Sequence, residues 1–97
     1  MKSYNTKKEE IKKITRSENG IEYVYSLISS KSERVASFGI PLYSIEVTMI
    51  KDGEETSNSI YEIFSDIGKA LSFLGMLAEN LATPIDLTYI LEDKITI

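Results

Sequence analysis

Three groups of side chains in this chain have types and spacings that could do chemistry. Glu92 and Asp93 are adjacent carboxylates, the raw material of general acid–base catalysis. Such a pair works only when its environment splits the two pKa values, and nothing in the sequence places a suitable neighbour beside them. Asp52-Gly53-Glu54-Glu55 gathers acids around a glycine, but it lacks the spaced oxygen ligands and closing Glu of a calcium loop. It reads as a solvated hairpin tip. Tyr23, Tyr25, Tyr43 and Tyr61 supply the rings that a base-stacking sheet would need. Glu22, Glu46 and Glu62, however, stand where such a surface carries Lys or Arg, so the tyrosines read as core side chains with hydroxyls at the sheet margin.

What is missing narrows the field further. None of the 97 residues is Cys or His, which removes the thiolate nucleophile, the disulfide framework, the commonest metal ligand and the usual general base. No Gly-rich phosphate loop and no Gly-x-Ser-x-Gly elbow is present. The expectation is a protein that is not an enzyme and holds no cofactor or metal. Its start lacks the apolar core of a signal peptide, and no apolar run approaches the roughly 18 residues of a membrane span. A cytoplasmic location follows as the default, with no membrane partner.

Charge is unevenly spread. Net charge is −4, yet residues 1–17 carry Lys2, Lys7, Lys8, Lys12, Lys13 and Arg16 against Glu9 and Glu10, which leaves −8 on residues 18–97. An acidic body with a basic arm repels nucleic acid over most of its surface. Lysines on a first strand also discourage edge-to-edge aggregation, which is the simpler account of the arm.

The elements that must position these residues follow from periodicity. The length allows one domain, residues 1–97, with 1–6 expected to be disordered. Glu9–Arg16 and Ile21–Ile28 flank Asn19-Gly20, the strongest short hairpin signal. A two-residue turn there sets Glu18 opposite Ile21, Arg16 opposite Tyr23, Ile14 opposite Tyr25 and Lys12 opposite Leu27. Arg16 is then able to lie over the Tyr23 ring. Ser29–Ser37 reads as a polar connection, and Phe38-Gly39-Ile40-Pro41 as a turn. Tyr43, Ile45, Val47 and Met49 alternate with polar residues as in a strand with one wet face. After it, Lys51-Asp52-Gly53 is expected to form a three-residue loop with a bulge, because that register sets Tyr61 opposite Tyr43 and buries Ile63 as well.

Residues 65–81 show the clearest helical period, with Ile67, Ala70, Leu71, Leu74, Leu77, Ala78 and Leu81 on one stripe. Ser65 is the expected N-cap. A shorter helix over Asp86–Lys94 buries Leu87, Ile90 and Leu91, capped by Asp86 itself or by a Thr83 capping box. The prediction is an α+β fold: a four-stranded antiparallel meander with one long helix across one face and a short C-terminal helix.

The long helix also carries Gly68, Ser72 and Gly75 in a line, and each glycine costs about 1 kcal/mol against alanine. Close approach of a second backbone is one compensation, supplied by the C-terminal helix or by a two-fold-related copy. Phe73 and Met76 widen the apolar arc on the other flank. These five residues are the candidate partner-binding surface of a small interaction or regulatory protein, expected to be a homodimer and to act through helix or sheet edge. An acidic inhibitor or nucleic-acid mimic is the alternative.

The Tyr-x-Tyr of residues 23–25, Tyr43-Ser44-Ile45-Glu46-Val47, and Thr83-Pro84-Ile85-Asp86-Leu87 running into Ile90-Leu91-Glu92-Asp93 together resemble a family of small clostridial proteins of unknown function. The resemblance covers residues 20–95 and is strongest in the C-terminal Pro-x-x-Leu and Glu-Asp signature. At Asp86 and Tyr89 the chain departs from that pattern, which has histidine and an acid there. The resemblance implies a small cytoplasmic α+β protein and no particular activity.

Overall fold

Two Asx-Gly dipeptides set the geometry of the sheet. In the computed structural model, which describes residues 6–32 and 41–95, Asn19 and Gly20 take φ of 52° and 78°, and Asp52 and Gly53 take 52° and 80°. Successive left-handed residues make the type I′ turn whose twist matches paired strands. The first turn joins β1 (Thr6–Glu18) to β2 (Ile21–Ser32), and the second joins β3 (Pro41–Lys51) to β4 (Glu54–Phe64). All pairings are antiparallel in the order β1-β2-β3-β4, the expected meander. Of the predicted disorder at 1–6 and the predicted turn at Phe38–Pro41, only Thr6 and Pro41 are among the described residues, and they open β1 and β3.

The first hairpin has the predicted register, including Arg16 opposite Tyr23 and Lys12 opposite Leu27. An extra residue then enters β1 between Glu10 and Lys12, so that Glu10 lies opposite Ile28. β2 also runs further than expected, since Ser29–Ser32 continue the strand where a polar connection was predicted. Residues 29–31 pair on both sides, with β1 and with β3, and Ser32 with β1, so ladder hydrogen bonding carries the strand through this polar stretch.

The second hairpin corrects a prediction. Lys51 pairs with Glu54 and Ile45 with Ile60, the register of a strict two-residue turn and not of a three-residue loop. Tyr61 therefore points away from the helices and is 72% exposed, whereas Tyr23, Tyr25 and Tyr43 are buried as expected. Burial is recovered further along, where a register shift between Tyr43 and Ile45 brings Phe64 opposite Tyr43. Turn chemistry fixes the hairpin locally, and the bulge supplies the missing apolar side chain later.

Both helices lie on the face that carries Tyr23, Tyr25, Leu27, Tyr43, Ile45 and Val47. The first, α1 (Ile67–Glu79), has its cap one residue later than predicted. Asp66 is its cap, its carboxylate accepting from the N–H of Gly68 at 2.7 Å and of Lys69 at 3.2 Å, so Ser65 lies outside. An ionised cap also faces the positive end of the helix dipole. Leu74 and Leu77 are fully buried, with Ala70, Phe73 and Ala78 beside them, while Ile67 and Leu71 remain exposed. The buried stripe is thus turned toward Phe73, which stacks at a tilt on Phe64 with ring centroids 5.4 Å apart. Phe73 belongs to the core, because the bulged end of β4 delivers a ring to that side of the helix.

The end of α1 is a Schellman motif: Ala82 N–H donates to Leu77 C=O and Leu81 N–H to Ala78 C=O. Leu81 occupies the left-handed position that glycine usually takes, with φ of 51°. The conformational cost is about 1–2 kcal/mol, offset by packing of the Leu81 side chain on the core. Two strand side chains tie down this corner. Arg16 sends its guanidinium to Ala78 C=O at 2.8 Å, meeting the negative end of the helix. Tyr25 hydroxyl donates to Ala82 C=O at 2.8 Å in the interior.

The second helix, α2 (Pro84–Ile95), settles the capping alternatives in favour of Thr83. Its N–H donates to the Asp86 carboxylate while its hydroxyl accepts from Asp86 N–H, a capping box with Pro84 at the first helical position. Leu87 is fully buried and Ile90 packs at the edge of the core; the Leu91 side chain lies outside the described residues. No helix among the described residues is long and apolar enough to cross a membrane.

Burial pushes the Tyr25 phenol up from its ordinary 10 to about 12, aided by neighbouring Tyr23 and opposed by Arg16. The unfolded chain ionises this tyrosine first as pH rises, so its stabilising contribution is complete below pH 10 and is lost between about 10 and 12. Tyr25→Phe should cost about 1–3 kcal/mol at neutral pH by stranding the Ala82 carbonyl. In urea titrations that deficit should shrink by about 1.4 kcal/mol per pH unit above pH 10; a constant deficit would show that Tyr25 titrates freely in the folded protein.

Candidate functional site

The long helix was the expected interaction surface, and the structure divides its five residues. Phe73 is largely buried against Phe64, more deeply than a free flank of the helix implies. Met76 is half-buried against the core. Gly68 and Ser72 stay exposed along an open groove of about 710 Å³ lined also by Phe64, Asp66, Lys69 and one edge of Phe73. A Cβ placed on Gly68 would come within 3.2 Å of the Asp66 carboxylate that caps the helix, so this glycine has a local reason. Gly75 has none of that kind, since a Cβ there meets nothing within 4 Å. Among the described residues nothing therefore lies close against the Gly75 part of the stripe. α2 leans instead on β4 and β3.

A second groove, of about 500 Å³, lies between β4 and α2. Thr56, Ser57 and Asn58 form its strand wall, and Pro84, Ile85, Thr88 and Tyr89 its helix wall. Ile85 and Tyr89 are 69% and 66% exposed, large apolar side chains one helical turn apart and off the stripe that buries Leu87. Among the exposed large apolar side chains of the described residues, only Tyr61 is as open to water, and Ile85 and Tyr89 stand together on one side of one helix.

Asn58 joins the two walls. Opposite Val47, its side chain is on the helix-facing side of β4, where an apolar residue is the ordinary choice. Its amide nitrogen donates to Pro84 C=O at 3.0 Å and reaches the Thr88 hydroxyl at 3.2 Å, while its amide oxygen accepts from Ser59 N–H at 2.9 Å. One side chain thus holds the start of α2 and occupies a backbone donor on the outer edge of β4. On the opposite sheet face, Ser59 hydroxyl donates to the Glu46 carboxylate at 3.3 Å.

The surroundings are acidic. Residues 52–66 contain Asp52, Glu54, Glu55, Glu62 and Asp66 and neither Lys nor Arg, so the β4 edge opposes the basic β1 edge across the sheet. Among the described residues no three acidic side chains converge as metal ligands. Asp66 and Asp86 serve as caps, and the side chains of Glu92 and Asp93 lie outside the described residues. Sequence reasoning missed the groove because it took Tyr89 only as a departure from a pattern and β4 as a uniform strand. The available signals were Asn58 at an inward position and the Ile85/Tyr89 spacing beside the Leu87/Ile90 stripe.

Residues 5–97 match a family of unknown function, DUF6514, and the chain belongs to that family. No curated protein and no solved structure matches it.

Asn58→Ala should lower stability by about 1–3 kcal/mol, since the Pro84 carbonyl and Ser59 N–H lose a shared partner. Hydrogen exchange should then quicken at the Ser59 amide and through the first turns of α2 while the β1–β2 ladder is unchanged; uniform quickening would mean that Asn58 supports the whole core. Gly75→Ala should raise stability by up to about 1 kcal/mol in a monomer with that stripe empty. Thermal unfolding at two protein concentrations checks it, and a loss of stability would reveal an occupant.

Proposed function

We propose that this member of DUF6514 is a small non-enzymatic interaction protein and that the groove between β4 and α2 is its working surface. The observation that carries the reading is the pair Ile85 and Tyr89, left two-thirds in water on a groove whose other wall is an edge strand. Burying two such side chains in a partner is worth about 1.5–3 kcal/mol each. Ordinary packing within one chain does not explain leaving them out, because α2 already satisfies its core contact through Leu87 and Ile90. The groove is also built and not incidental: a capping box fixes the start of α2, and Asn58 holds it to the strand.

A second reading uses the same side of the molecule differently. The unbroken acidity of residues 52–66 suits an inhibitor that occupies a basic groove of another protein, in which case charge and not apolar area supplies the affinity.

Affinity capture from the native cell, with wild type and with the Ile85→Asp/Tyr89→Ser variant, tests the main reading. Both residues are exposed, so the variant should fold with an unchanged melting temperature. It should lose a partner that wild type retains at high salt. A partner released by salt and indifferent to the variant would establish the electrostatic reading instead.

A further inference from the structure

We infer that the occupant of the β4/α2 groove is an extended, basic segment of another protein that adds to β4 as a fifth strand. This rests on the groove being the working surface and adds the mode of binding and the chemistry of the ligand. The first ground is the backbone. A two-residue turn makes Lys51 and Glu54 a hydrogen-bonded pair, and the alternation that follows directs the N–H and C=O of Glu55 and Ser57 outward, away from β3. Ser59 is next in that outward row, and its N–H is already taken by the Asn58 side chain. The open part of the edge is therefore short and lies beside the groove.

Spacing is the second ground. Ile85 and Tyr89 are separated by about 6 Å along the helix axis, and alternate residues of a strand by about 6.7 Å. A strand on the β4 edge thus presents successive same-side residues at the interval of the two exposed helix side chains. The mode is that of domains which bind a peptide between an edge strand and a helix. Charge is the third ground. The other side of an added strand faces Glu55, with Glu46 half-buried behind it, and no basic residue occurs between Asp52 and Asp66. The fitting segment alternates apolar residues, toward Ile85 and Tyr89, with Lys or Arg.

The test uses a blocked peptide of alternating Lys and Val, about ten residues long, added to the full chain and followed by amide hydrogen exchange and chemical shifts. Binding should slow exchange at Glu55 and Ser57, shift Ile85 and Tyr89, and leave the β1 amides unchanged. A Glu–Val peptide and a Lys–Val peptide N-methylated at alternate residues should each bind at least about tenfold more weakly, the second through loss of one or two backbone hydrogen bonds. Ser57→Pro, which removes an outward N–H without touching the β3 ladder, should abolish binding with the fold intact by circular dichroism. Equal binding of the N-methylated peptide, shifts confined to other surfaces, or no binding of any peptide overturns the inference. So does self-association in light scattering that Lys12→Glu/Lys13→Glu disperses, since the occupant is then a second copy. Capture lost in Ile85→Asp/Tyr89→Ser without peptide binding sinks only the strand-addition mode; capture unaffected by that variant sinks the groove itself.

Discussion

A side chain on a β-strand has two directions in which to point, and the choice of direction is the constraint on which this molecule depends. Two turns make that choice. With Asn19-Gly20 and Asp52-Gly53 held in left-handed conformations, the pairing of each hairpin is fixed to the residue. Tyr23, Tyr25, Leu27, Ile45 and Val47 are thereby committed to one side. A slip of one position in either hairpin would carry half of that set into water. Leu74 and Leu77 then have a continuous apolar surface to cover, and hydrophobic burial does the rest.

Polar contacts at the ends of α1 refine this arrangement. Asp66 closes one end, while Arg16 and Tyr25 reach across from two different strands to carbonyls at the other. These bonds are directional where burial is not, so they set the place of α1 along the sheet as well as its distance from it. α2 inherits its position from the same corner, since it begins two residues after the carbonyl that Tyr25 holds.

Much of this was legible in the residues because the signals were local. Asn-Gly at 19–20 specifies a turn with a known loop length, and the register of the first hairpin follows by counting. The alternation of residues 43–49 and the three-and-four spacing of 70–78 name their element types directly. What failed to read needed information from elsewhere in the chain. The place of Tyr61 depended on whether turn geometry or buried area governs a hairpin, and the area lost there was recovered by a bulge several residues later. Phe73 was assigned to a free flank because Phe64, its partner, arrives beside it only through that bulge. The groove of Ile85 and Tyr89 stayed hidden for a related reason: a strand edge and a helix face are each ordinary alone, and only their juxtaposition makes a surface.

The inserted residue in β1 has a consequence for how copies of this protein meet. Residues 9–13, Glu-Glu-Ile-Lys-Lys, read as a palindrome of opposite signs: were the strand regular, a second copy turned about Ile11 would set each Glu against a Lys and double the sheet. Because Glu10 lies opposite Ile28 while Lys12 lies opposite Leu27, and Glu9 opposite Ser29 while Lys13 lies opposite Ser26, each Glu and the Lys it would meet project from opposite sides of the sheet. The attractive match is spoiled by a single amino acid, and crowded neighbours find there no template on which to grow.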